Sequence, residues 1–360
     1  MTLTRIKLLS RCDPREWARY FPASDGRWAD CQFIFDRDER NYDWLVVYDD
    51  LPAQPGARRD EASERLACPA ANTLLVTTEP SSIKAYGRAF AAQFGHVLTT
   101  QPAWALPHPQ RHFQQAANHW FYGLGSSRCM SRAEFLAGPA PEAKTADLST
   151  VYSSKRQWHT NHAQRYAFIA AMRERLPEMA LFGRGATPMD DKAEALAPFR
   201  YHLAVENHIA LHHFTEKLSD AFLARCLPFY AGAPNAADYF PADSFIPIDI
   251  RDPDGAAQII RSAITDNAWF KRQDAIEEAR RRVLEEHHLF AVIARIVAGA
   301  SRATTAPASD TTLLSRHAWR KAHPLGSGLH MLEKLQVRAR SLWHARYGED
   351  VRHLRQGDLH

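Results

Sequence analysis

The sequence predicts a two-domain α/β protein. Near-continuous apolar runs alternate with helical spacing in the first 125 residues, and the same alternation resumes beyond residue 150. A chain of 360 residues also exceeds the length at which one hydrophobic core usually stops growing, so two domains of ordinary size are expected.

In the first domain CQFIF (31–35), WLVVY (44–48) and NTLLVTT (72–78) have the composition of strands buried on both faces. IKAYGRAFAAQF (83–94) then returns apolar residues at helical spacing. GPAPEAKTADLS follows neither period, which places a linker at 137–149 and the first domain at 1–136. Beyond it come VYSS, a helix over about 162–175, MALFG, YHLAVEN, a helix after Thr215, the strand LPFYAG, SFIPIDI and a long helix over 267–298. These define a second domain over 150–300. SRATTAPASD (301–310) reads as a further linker to a basic C-terminal extension over 301–360. After residue 310 that extension carries nine Lys/Arg against four Asp/Glu, with Trp319 and Trp343 interleaved. Such a tail is either a solvated helix or one that lies on an anionic membrane or across the other domain.

Composition narrows the function. Hydrophobic residues make up 45% and charged residues 24%, the usage of a globular protein. A net charge of +4 is too small for a dedicated nucleic-acid binder. The five scattered cysteines have no Cys-x-x-Cys pair, so neither a zinc site nor a disulfide framework is expected. The N-terminus lacks the apolar stretch of a signal peptide, and LFAVIARIVAGA is too short to span a bilayer. A cytoplasmic protein, or one held on the inner face of the membrane, is the expectation. The Walker loop, the Gly-x-Gly-x-x-Gly turn and the Gly-x-Ser-x-Gly elbow are all missing, which argues against nucleotide hydrolysis, NAD chemistry and a serine hydrolase.

The densest chemistry lies between Tyr201 and Asn235. YHLAVEN ends in Glu206 and Asn207, where an open α/β sheet places its ligand groups, at the carboxyl end of a strand. Thr215 is placed to cap a helix whose first turn holds Glu216 and Lys217, with Leu218, Phe222 and Cys226 as its buried stripe. Unpaired N–H groups and the dipole suit a phosphate at that end, and Lys217 adds a full charge. Glu216 is the kind of group that accepts hydrogen bonds from a ribose diol. The competing reading is a favourable but idle first turn. His208, His212 and His213 allow a pair of imidazoles on a cation, but without a local acidic motif they read as pocket or loop histidines, and no metal is expected.

The run AVENHIALHHFTEKLSDAFLARCLPFYAGAPNAADYFPADSFIPI, with VYSSKRQWHTNHAQRYAFI and GRG (183–185) upstream, resembles the C-terminal signature of the α-1,3/1,4-fucosyltransferases of glycosyltransferase family 10. The resemblance implies GT-B architecture, two Rossmann-like domains facing across a cleft, and inverting transfer of L-fucose from GDP-fucose with no cofactor. It implies that Lys217 and Arg165 meet the diphosphate, that Glu216 meets the ribose and that Asn207 lines the donor pocket, with Glu206 in contact or support. His213 stands where the family commonly has Tyr, so either the imidazole replaces the phenol or the sugar differs.

Inverting transfer needs a base for the acceptor hydroxyl. Glu79, directly after TLLVTT and before Pro80, matches the glutamate that the family places at a similar strand end; Asp49 and Asp50 after WLVVY are the reserves. The implied acceptor is a glycan such as a surface polysaccharide or lipopolysaccharide saccharide. The rival readings are a GT-B transferase for another nucleotide sugar and a noncatalytic glycan-binding relative.

Overall fold

The computed structural model describes residues 3–53, 56, 58–116, 118–139, 144–153, 162–300 and 311–347. The expected linker at 301–310 and residues 154–161 of the family-like run lie outside them. The chain divides into two compact units: residues 1–14, 26–116 and 296–360 form one, and residues 15–25 and 117–295 the other. Each is an α/β layer structure around a parallel sheet, as expected of the Rossmann-like domains of the GT-B class.

The strands of the first unit are β1 (Thr4–Leu9), β2 (Arg27–Trp28), β3 (Cys31–Ile34), β4 (Trp44–Tyr48), β5 (Ser63–Arg65), β6 (Thr73–Val76), β7 (His96–Thr99) and β8 (Arg111–Phe113). All but β5 form one sheet in the order β2-β3-β1-β4-β6-β7-β8, parallel except for the β2–β3 pair. The chain leaves β1 on one side to make β3 and returns on the other to make β4. The sheet therefore reverses direction between β1 and β4, and ligand crevices form at such a switch point.

β1 is a central strand that hydrophobic patterning did not single out. Ile6 and Leu8 point into apolar packing, while Lys7 on the other face is fully buried and pairs with Glu64 at 2.9 Å. The helix expected over 83–94 is reduced to Arg88–Ala91. Gly87 precedes it at φ +94°, and a Cβ there would lie 2.5 Å from the His330 ring, so only glycine fits.

The second unit contains β9 (Ala146–Ser153), β10 (Ala180–Arg184), β11 (Phe199–Val205), β12 (Leu227–Ala231) and β13 (Ile246–Pro247). They form an all-parallel sheet in the order β10-β9-β11-β12-β13. Its switch point lies between β9 and β11. The helices His162–Arg175 and Pro253–Thr265 cover one core, with Phe168, Met172, Leu203, Phe229 and Ile260 buried together. The expected helix over 267–298 is three pieces, Ala268–Lys271, Gln273–Glu285 and Leu289–Gly299. His288 in the second break is fully buried among the rings of Tyr20, Trp120 and Phe290.

The domain boundaries differ from those expected. Residues 15–25 leave the first unit for the second, where Arg19 donates to the carbonyls of Trp120 and Tyr122 at 2.7 and 3.2 Å. The second unit begins at Ala117 rather than 150, because the supposed linker already contains the start of β9 and the buried Lys144, which donates to Ala224 O at 2.6 Å. The extension is not separate from the first unit. β14 (Thr312–Leu314) pairs antiparallel with β5, and the helices Arg316–Ala322 and Pro324–Tyr347 pack on that unit through Val337 against Ala85 and Ala105. Among the described residues no helix is long and apolar enough to cross a membrane.

Candidate functional site

The switch point of the second sheet gathers Arg165, Glu206, Asn207, Thr215, Glu216 and Lys217. Arg165, on the first long helix of the unit, is nearly buried and ties the carboxyl ends of β9 and β11 together. Its Nη2 donates to Val151 O at 2.9 Å and its Nη1 to Asn207 Oδ1 at 2.9 Å, while its buried Nε has no partner among the described residues. Burial pulls its pKa below the ordinary arginine value, against the pull of Glu206 and Glu216.

Glu206 is fully buried directly after β11. It accepts from Thr215 N at 2.8 Å, from Thr215 Oγ1 at 2.7 Å and from Lys217 Nζ at 3.2 Å. These partners all belong to the site itself, and through them Glu206 holds Thr215 and Lys217 in place. Thr215 in turn caps the helix Glu216–Leu223, its side chain accepting from Lys217 N. Gly232 in the Gly-x-Pro turn leaves room for this arrangement: a Cβ there would lie 2.6 Å from Glu206 Cγ and 2.0 Å from the Tyr230 hydroxyl.

Lys217 Nζ sits between Glu206 and Glu216, with Glu216 Oε1 at 3.1 Å. Burial disfavours its charge, but the two carboxylates hold its pKa above the ordinary lysine value. Burial would likewise raise Glu216, yet Lys217 and Lys192 hold it well below the usual carboxylate range. Both groups are ionised at neutral pH. A positive helix end with a lysine and an arginine suits an anion, and an ionised glutamate beside it accepts hydrogen bonds from hydroxyls.

His213 is nearly buried, its ring 5.5 Å from that of His208. Burial first, then the charge of Lys217, lowers its pKa to about 4, so it is neutral at physiological pH. His212 turns away to bond Tyr239 through Nδ1 at 2.6 Å. Among the described residues no group of three or more His, Cys, Asp and Glu is arranged to hold a metal ion.

Two members of the cluster escaped sequence reasoning. Lys192 bonds Asp220 Oδ2 at 2.8 Å and lies 3.5 Å from Glu216. Asp220, fully buried, also accepts from the backbone N–H groups of Phe121 and Tyr122 at 2.9 and 3.0 Å. Its spacing offered a signal: Glu216 and Asp220 stand four apart on one helix face and repel unless a cation lies between them.

The other expected residues lie in the first unit. Glu79 follows β6, and its carbonyl accepts from Gln101 Nε2 at 2.8 Å, which fixes the chain there. The reserve carboxylates are occupied. Asp49 accepts from Lys84, Tyr86 and Thr78, and Lys84's charge and these bonds lower its pKa despite burial. Asp50 accepts from the backbone of Leu51 and Arg316 and pairs with Arg11 at 3.4 Å. A carboxylate held as Asp49 is makes a poor proton acceptor, which argues against it as the base.

The second of the two Rossmann-like units carries a positive helix end and an ionised glutamate at its switch point, a setting that suits a nucleotide ligand. The family described as "Glycosyltransferase family 10 (fucosyltransferase) C-term" matches residues 142–272. The segment that builds the site is therefore similar to the C-terminal domain of glycosyltransferase family 10, and a glycosyltransferase is the enzyme it indicates. No curated protein matches the chain. Among solved structures, an alpha1,3-fucosyltransferase is 16% identical over 83% of this chain and 91% of its own, with a TM-score of 0.48. A glycosyltransferase from Rickettsia africae ESF-5 is 10% identical over 83% of this chain and 100% of its own, with a TM-score of 0.45. An Anabaena protein, Alr3699/HepE in complex with UDP-glucose, is 9% identical over 82% of this chain and 98% of its own, with a TM-score of 0.44.

Proposed function

We propose that the protein transfers L-fucose from GDP-fucose, with inversion at C1, to a hydroxyl of a glycan acceptor in an α-1,3/1,4-type linkage. The observation that carries this reading is the Thr215-capped helix end, which holds Lys217 beside Arg165 at the switch point of the second sheet. The diphosphate takes the positive end of the helix, Lys217 and Arg165. The ribose hydroxyls donate to Glu216, and Asn207 and His213 line the donor pocket. The acceptor hydroxyl gives its proton to the Glu79 carboxylate as its oxygen bonds to C1. The bond from C1 to the phosphate oxygen breaks, and its electron pair leaves on GDP, where the cationic groups stabilise the growing charge.

The setting we propose is surface polysaccharide or lipopolysaccharide synthesis at the cytoplasmic face of the membrane. The helix Pro324–Tyr347 supports a peripheral contact: Leu325, Leu329, Leu332, Leu335 and Trp343 are exposed along it, with Lys334 and Arg338 on the same helix.

Melting the protein with GDP, GDP-fucose, GDP-mannose, UDP-sugars and CMP-sugars tests the donor. A ligand at a hundred times its dissociation constant adds about 2.7 kcal/mol. GDP and GDP-fucose are expected to raise the melting temperature of the wild type and not of Lys217→Ala; a response only to another nucleotide sinks the fucose assignment. Glu79→Gln is expected to keep the GDP response and lose roughly 10²–10⁴-fold in transfer. Unchanged transfer by that variant removes Glu79 as the base.

A further inference from the structure

The C-terminal segment and the first unit enclose a cavity of about 400 Å³ that the donor chemistry does not use. Its lining includes Arg88, Arg316, Arg320, His330 and Trp319. Glu333 also lines it, but that carboxylate is taken by the backbone N–H of Arg88 at 3.1 Å, the Arg88 guanidinium at 3.3 Å and the His330 ring at 3.6 Å. Among the described residues, neither Arg316 nor Arg320 has a carboxylate within ion-pair distance. Arg316 donates to Ala85 O at 3.0 Å and lies over the Tyr86 ring, and Arg320 meets His330 Nε2 at 2.8 Å.

The cations act on one another. Burial and then the charge of Arg316 lower the pKa of Arg320; burial and then Arg338, Arg320 and Arg316 lower that of Lys334. Asp50, behind the Arg316 backbone, is the remaining nearby acid, and it is shared with Arg11. Like charges gathered around a cavity gain when an anion with several oxygen acceptors enters, and guanidinium pairs suit phosphate geometry. Trp319 adds apolar ring surface of the kind that packs against the C–H face of a sugar.

We propose that this pocket binds the phosphate ester of a saccharide, with Arg316 and Arg320 on the phosphate and Trp319 against the sugar ring. Its assignment to a phosphorylated acceptor rests on the transferase reading; the binding itself does not. Calorimetric titration of the full chain, without any donor nucleotide, with glucose 6-phosphate, inorganic phosphate and glucose tests it, alongside sedimentation with phosphatidylglycerol vesicles. Glucose 6-phosphate is expected to saturate one site, to bind more tightly than inorganic phosphate, and to weaken tenfold or more in both Arg316→Gln and Arg320→Gln; glucose is expected not to bind. Among the described residues the Arg320 side chain hydrogen-bonds His330 alone, so Arg320→Gln reports even where Arg316→Gln is unstable. Absence of saturable binding, or equal binding by the Arg320 variant, overturns the site. Phosphate binding as tightly as the sugar phosphate, or binding to vesicles alone, overturns the saccharide. Sugar phosphate binding without a GDP response would leave the pocket standing and the donor reading fallen.

Discussion

Asp49 in the first unit and Glu206 in the second stand at equivalent places. Each directly follows the strand that neighbours its sheet's first strand at the switch point, β4 beside β1 and β11 beside β9. Each accepts from a threonine and a lysine, Thr78 and Lys84 in one case, Thr215 and Lys217 in the other. The local backbone separates them. Thr215 caps and Lys217 opens an eight-residue helix, so the lysine stands beside a positive dipole end. Thr78 and Lys84 lie in irregular chain, and Asp49 itself sits at φ +73°. The same carboxylate–lysine–threonine arrangement therefore suits an anion only where a helix end is added to it.

The largest effect that sharpens this contrast is on stability. Glu206 is fully buried and holds two elements of its unit together, so Glu206→Ala leaves Lys217 facing Glu216 with one carboxylate lost from an enclosed cluster. Removing one partner of a buried pair costs about 3–5 kcal/mol, to be read from denaturant midpoints. Asp49 and Lys84 are partly open to solvent, and Asp49→Ala is expected to cost distinctly less. Equal losses would erase the distinction between the two clusters.

A smaller effect is set by pH. The pKa of His213 is lowered from 6.5 to about 4 by burial and by Lys217, so the folded protein resists a proton that the unfolded chain accepts. Its neutral form costs nothing above about pH 6.5. As pH falls from there toward 4, the unfolded state takes up the proton first and stability is lost, by up to roughly 3 kcal/mol for this group. His213→Gln is expected to flatten the fall in unfolding free energy between pH 6.5 and 4.5, above the range where carboxylates take over. An unchanged slope in that variant would show that the imidazole is solvated in solution.

The second unit was the more legible of the two for a physical reason. Its strands carry apolar residues on both faces, and Thr215, Glu216 and Lys217 form a contiguous signal at a helix start. β1 was missed because Arg5 and Lys7 interrupt TRIKLL, and nothing local shows that Lys7 will find Glu64 across 57 positions. The unit boundaries were missed for a related reason: Arg19, Lys144 and Arg316 read as surface charge until the backbone carbonyls they bond are brought to them by the fold. Lys192 and Asp220 entered the site the same way. Local pattern marks the groups at a helix end, while partners brought by long-range packing stay hidden.

The finest test of the comparison removes one hydroxyl from each cluster. Thr215→Ala loses the cap on Lys217 N and the bonds to Glu206, and a lost cap costs about 1 kcal/mol. Thr78→Ala removes the hydroxyl's hydrogen bond to Asp49, with no helix end behind it. Both variants should fold with slightly lowered melting temperatures. Only Thr215→Ala should also weaken GDP binding, because the helix end and Lys217, whose Nζ bonds Thr215 Oγ1 at 3.1 Å, lose their fixed geometry. The two stability changes measured together with the two GDP titrations separate a capping residue from a binding geometry. Equal GDP affinity in both variants would mean that Lys217 and Arg165 hold the nucleotide by charge alone and that the helix end contributes nothing.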